Sequence, residues 1–99
     1  MASSIVQLAT AEPVDLTGDA NHTDVVHYGG FSVRESAGTP AVAAVNFRHG
    51  SVSGQIVGVL ELAANESADR SLPGIIQTPA GVYVQVVTGE ISGVLYNIK

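Results

Sequence analysis

The hydrophobic pattern of this chain changes character at Val25. Before it, residues 10–24 are acidic and rich in turn formers, with no periodicity longer than a few positions. Ile5, Val6 and Leu8 suffice for only a short strand. From Val25 onward β-branched and aromatic residues dominate the apolar set, and such side chains suit a pleated surface. Residues 25–28 form a short apolar run that ends at Gly29 and Gly30. Residues 31–35 alternate with period two, and 36–40 are a turn cluster. Residues 41–48 place Ala43, Val45 and Phe47 on one face. A glycine-bracketed loop over 49–54 leads to residues 55–62. There Ile56, Leu60 and Leu62 share a face, and Gly58 leaves a gap that admits another segment. The polar stretch 65–71 ends at Leu72-Pro73-Gly74, and 75–77 form a short strand. Two β-rich runs, 82–87 and 91–98, flank Thr88-Gly89, which is a hairpin signal. Gly93 marks a bulge within the last run.

These strands recur at spacings of roughly ten residues with short turns between them. The pattern predicts an all-β fold, a small antiparallel β-sandwich or barrel of about seven strands. Residues 1–24 are expected as an extended N-terminal arm, loosely ordered or ordered by a partner. Residues 25–99 are expected as the β-sandwich domain. The one helical signal, over 62–66, is worth a single turn before the polar stretch and Pro73. Parallel βα units need crossovers of a dozen residues or more, for which there is no room.

Composition narrows the function classes. The chain has 99 residues, 45% hydrophobic and 13% charged, with a net charge of −5. That is one domain, and not a disordered tail. Its basic residues are Arg34, Arg48, Arg70 and Lys99. No basic patch follows, which argues against a nucleic-acid partner. No apolar run approaches the roughly 18 residues of a membrane span. Cysteine is absent, so thiolate chemistry and cysteine-based zinc sites are excluded. The N-terminus has neither the basic start nor the long apolar run of a secretory signal, so the chain is expected to be made in a cytoplasm.

Candidate chemistry is sparse. His22 and His27 lie five apart, near Asp19 and Asp24, whereas zinc needs three or four convergent ligands. Residues five apart on a strand face opposite ways, so the expectation is surface histidines and no metal. Gly50-Ser51-Val52-Ser53-Gly54 has valine where a serine elbow needs its nucleophile, and it reads as a turn. Glu35, Glu61 and Glu90 are isolated and expected on solvent faces or edges, where charge blocks unwanted pairing. Arg34 beside Glu35, and Arg70 beside Asp69, read as weak surface pairs. Gly29-Gly30 precedes a strand and so is no phosphate loop. No catalytic residue, cofactor or enzymatic activity is expected.

Alanine, glycine and valine fill much of the chain, and tryptophan is absent. Such small side chains make a marginal core for one small domain unless neighbours complete it. That favours work within an assembly, through an edge strand or through the arm. The apolar residues spaced through the polar leader, Ile5, Val6, Leu8, Val14 and Leu16, are the candidate partner-binding residues.

Residues 28–98 carry a resemblance. Its parts are Tyr28-Gly29-Gly30-Phe31-Ser32-Val33-Arg34-Glu35, Leu60-Glu61-Leu62-Ala63-Ala64-Asn65-Glu66-Ser67, and the run from Gly81 to Gly93. In this order they resemble small β-rich virion structural proteins of tailed bacteriophages. The resemblance implies a head decoration (capsid cement) protein that binds the outside of the capsid and stabilises the shell. The implied partner is the major capsid protein, with self-association on the lattice, as a trimer or as monomers that meet only there. The implied location is the capsid surface of the virion. The alternative is a phage tail or host-surface-binding β-sandwich module. The shortage of aromatic residues beyond Tyr28, Tyr83 and Tyr96 weakens a sugar-binding version of it. A small hydrolase or metal enzyme would instead require His22, His27 and His49 to converge with carboxylates.

Overall fold

The computed structural model describes residues 11–98. They form eight strands and no helix: β1 (Ala11–Asp15), β2 (Ala20–His22), β3 (His27–Glu35), β4 (Ala43–His49), β5 (Ile56–Leu62), β6 (Ser67–Gln77), β7 (Val82–Thr88) and β8 (Ile91–Ile98). Two four-stranded sheets result, ordered β1-β8-β3-β6 and β2-β7-β4-β5, and every pairing is antiparallel. The fold is all-β, a small sandwich. Its strand order is that of the jelly roll, an eight-strand arrangement of two Greek keys.

The core lies between the sheets. Phe31 and Val33 of β3, Val45 and Phe47 of β4, Val82 and Val84 of β7, and Leu95 of β8 are all buried. Phe47 sits at the centre, its ring centroid 5.1 Å from that of Phe31 and 6.2 Å from that of Tyr28. Gly58 admits this cluster: a Cβ there would lie 3.2 Å from the Phe47 ring and 3.3 Å from the Tyr28 hydroxyl. The gap expected at Gly58 is therefore filled by the Phe47 ring of the neighbouring strand and by Tyr28 from the facing sheet.

Several local expectations are corrected. Residues 11–22, expected within the arm, supply an edge strand to each sheet: β1 pairs with β8 and β2 with β7. The reason is tertiary, because a segment without periodicity of its own borrows its ladder from an ordered neighbour. Residues 27–35 form one strand, since Gly29 and Gly30 bend it without ending it. At that point β6 loops out, so that residues 72–75 oppose Gly29 alone. The polar stretch from Ser67 is likewise strand, half-exposed at a sheet edge. Ile56 does not share the face of Leu60 and Leu62. A bulge between the pairs Phe47–Gly58 and Arg48–Ile56 turns Ile56 out to solvent and Val57 inward.

Thr88-Gly89 does not close a hairpin, because β7 and β8 belong to different sheets. Gly89 has φ of +77° and a Cβ there would collide with the backbone at Val42 and Ala43, so the turn carries the chain across the sandwich edge. Gly93 is no bulge. It pairs in register with Val33, at φ of +151°, where a Cβ would run into the Ser32 carbonyl.

Candidate functional site

The two ends of the sandwich are tied by different chemistry. At one end lie the crossings after β1, β3, β5 and β7. There Glu35 is buried because it shares the inward parity of Phe31 and Val33. Its carboxylate accepts the Ala37 N–H at 2.8 Å and the Asn65 N–H at 2.8 Å, which joins the β3–β4 crossing to the β5–β6 turn. The Asn65 N–H first, and then that of Ala37, hold the carboxyl below the usual carboxylate range. Nearby, the Glu66 carboxylate accepts the Ala63 N–H at 2.7 Å, and the Asp19 carboxylate accepts the Val86 N–H at 3.2 Å. The Ser36 N–H donates to the Glu90 carbonyl at 3.0 Å. Glu35 is thus a structural acceptor, not the solvent-face charge expected, and its neighbour Arg34 points outward to donate to Ser92 Oγ at 3.3 Å.

At the other end the ties run through amides, a hydroxyl, imidazoles and the Arg48 guanidinium, which donates to the Gly54 carbonyl at 3.0 Å. Asn97 is buried, and its Oδ1 accepts the N–H groups of Val26 at 3.1 Å and His27 at 3.0 Å. The Thr78 hydroxyl donates to the Val25 carbonyl at 2.7 Å. Asn21 Nδ2 donates to the Ala80 carbonyl at 2.9 Å. His22 is buried rather than on the surface. Its Nε2 accepts the Thr17 N–H at 2.8 Å, which leaves Nδ1–H to donate to the Val82 carbonyl at 3.2 Å, so the ring is neutral and both nitrogens are used. His49 Nε2 accepts the Ala80 N–H at 3.3 Å. His27 is exposed.

The histidines therefore serve separate tasks. No group of three or more His, Asp or Glu among the described residues is arranged to hold a metal ion. Ser51 and Ser53 face each other across an exposed turn, with Oγ atoms 3.4 Å apart. Burial pushes the Tyr28 hydroxyl far above its ordinary range, which the Arg70 guanidinium offsets in part. A tyrosine so buried against Phe47 and Gly58 is a core residue.

Of the candidate partner-binding residues, Ile5, Val6 and Leu8 lie outside the described residues. Val14 and Leu16 are half-buried and pack against the chain's own core. The described surface includes three depressions. One, of about 540 Å³, is an open groove along β1 lined by Glu12, Asp15 and Asp24. One of about 180 Å³ crosses the outer face of β3, β6 and β8 between Ser32, Arg34, Ser67, Asp69 and Ser92. The third, of about 370 Å³, lies at the carboxylate-tied end of the β2-β7-β4-β5 sheet. Val42, Ala43, Ala44, Leu62 and Ala63 give it apolar walls, with Glu61 and Thr88 beside them.

Exposed Val42 lines this cleft, and exposed Val87 precedes Thr88 on β7. Val42, Val59 and Val87 are 63%, 60% and 58% exposed, more than any other large hydrophobic among the described residues. Sequence reasoning missed this cleft, because it forms where the ends of β4, β5 and β7 meet, and that meeting is set by topology. Its apolar walls suit contact with an apolar segment. No family model matches the chain, and no curated protein or solved structure matches it.

Proposed function

We propose that this chain is a structural virion protein of a tailed bacteriophage, which binds the outside of the capsid and stabilises the shell. The observation that carries the reading is how the three segments of the resemblance come together. The strand ending at Glu35 is bonded through its carboxylate to the turn at Asn65. The same strand pairs along β8, with Val33 opposite Gly93. The three segments thus meet at the carboxylate-tied end. Jelly rolls are common in viral capsid domains and also in lectins and cupins, so the fold lends its support as analogy.

The mechanism is linkage. A protein that binds only the mature lattice stabilises it by about 2.7 kcal/mol per site when free protein is a hundredfold above its Kd. Repeated over the shell, modest individual contacts resist expansion forces. An acidic surface keeps the free protein soluble until the lattice appears.

The test is copy number. Purified particles carrying this gene are analysed for the ratio of this chain to the major shell protein. A ratio near one, or near one-third, supports decoration of the lattice. A handful of copies per particle moves the protein to the tail, in line with a host-surface module, and absence from the particle overturns both.

A further inference from the structure

We infer that the cleft at the carboxylate-tied end receives residues 5–8 of a second copy of this chain, so that copies join head to tail. The cleft is apolar-walled, holds about 370 Å³ and is lined by the exposed Val42, with exposed Val87 next to Thr88 on β7. The segment that fits it is Ile5-Val6-Gln7-Leu8, the strand-forming apolar run that precedes β1. Alternate residues of an extended segment face one way, so Val6 and Leu8 present a pair of apolar side chains to such a wall.

Reach decides which copy supplies it. Ala11 pairs with Ile98, at the Asn97 end of the molecule. The cleft lies at the opposite end, beside Thr88, with β7 running from Val82 to Thr88 between the two levels. Six strand steps span about 20 Å, and the second sheet stands a further ~10 Å away. Val6 precedes Ala11 by five residues and extends at most about 18 Å from it, and Leu8 about 11 Å. A chain's own segment falls short of its own cleft, whereas that of a neighbour has no such limit. Charge favours the same occupant. The chain carries −5 overall, yet residues 1–10 contain no charged side chain. They approach Glu61 without like-charge repulsion. A contact of one patch with a different patch is heterologous, and it generates a closed ring or an open chain of copies.

This inference is independent of the capsid reading, because it concerns the isolated protein. Its test is the mass of the full chain by light scattering or sedimentation over a range of concentrations. The wild-type chain is expected to self-associate. A variant with Val6→Asp and Leu8→Asp, and a second variant with Val42→Asp and Ala63→Asp, are each expected to associate at least tenfold more weakly. Both cleft positions are exposed, so unchanged thermal melting is the check that folding is intact. Mixing the two variants restores one sound segment and one sound cleft, and it is expected to yield dimers that grow no further. A wild-type chain that stays monomeric overturns the inference, as do variants that associate like wild type. So does a mixture that remains monomeric.

Discussion

The two ends of this sandwich solve one problem in two ways. Each end must carry the chain between sheets, and each crossing leaves backbone N–H groups without a ladder partner. At the end near Thr88 the acceptors are carboxylates, from Glu35, Glu66 and Asp19. At the end near Ile98 they are an amide and two neutral imidazoles, from Asn97, His22 and His49. A carboxylate is the stronger acceptor but only while ionised. A buried amide is indifferent to pH, and it has no second form to fall back on when removed. The Asn97 tie is therefore the more costly to mutate, and the Glu35 tie is the more responsive to acid. The apolar cleft lies at the carboxylate end, so the proposed contact between copies falls where the crossings are held by charge.

The largest effect is expected at Asn97. Asn97→Leu keeps the volume but strands the Val26 and His27 N–H groups together. Each unsatisfied donor costs about 1–3 kcal/mol when buried, and these two are part-buried, so a loss of about 2–3 kcal/mol is expected in denaturant unfolding. A loss under about 1 kcal/mol would show that water replaces the amide and that this end is not sealed. Thr78→Val ranks next. It removes the single donor to the buried Val25 carbonyl, and a carbonyl is more easily left with one bond fewer than an N–H. A cost of about 1–2 kcal/mol is expected. Should Thr78→Val prove costlier than Asn97→Leu, the β2–β3 and β6–β7 crossings hold this end, and β8 does not.

The same contrast explains what the sequence made legible. Alternation was enough for the all-β fold and for the core face of β4, because Ala43, Val45 and Phe47 sit on a strand with sheet neighbours on both sides. Alternation also carried Glu35: it lies in phase with Phe31 and Val33 and is buried with them. Charge suggested solvent, but parity was the better guide, and the same parity buries Asn97 in phase with Leu95. Edges were harder to read. β1 and β2 have no apolar rhythm of their own, and β6 contains a four-residue excursion opposite Gly29. These strands exist because a neighbour offers a ladder. The crossing at Gly89 was hidden for a related reason: a two-residue turn with glycine fits a hairpin as well as a step between sheets, and only the pairing of β8 with β3 decides. The cleft was least legible of all, since its walls come from three strand ends that no local pattern brings together.

The smallest effect at neutral pH is expected from Glu35→Gln, and its value lies in how it changes with acid. Glutamine keeps one carbonyl oxygen but turns an NH₂ toward a backbone N–H, so one of the two bonds to Ala37 and Asn65 is lost and the other weakened. The sign of the pH dependence follows from the lowered carboxyl. A group that ionises more readily in the folded state stabilises the fold above its unfolded pKa, near the ordinary 4.5, and loses that contribution as pH falls through the folded value. Wild-type thermal stability should therefore decline below about pH 5 more steeply than that of Glu35→Gln, and the two should converge at lower pH. Amide exchange locates the effect. The Ala37 and Asn65 N–H groups should lose protection in acid while those of Val26 and His27 keep it. Equal loss at both ends would mean that the sandwich opens as one unit and that its two kinds of tie are not energetically separate. Selective loss would mean that acid loosens the crossings beside the cleft first, with the core around Phe47 still closed.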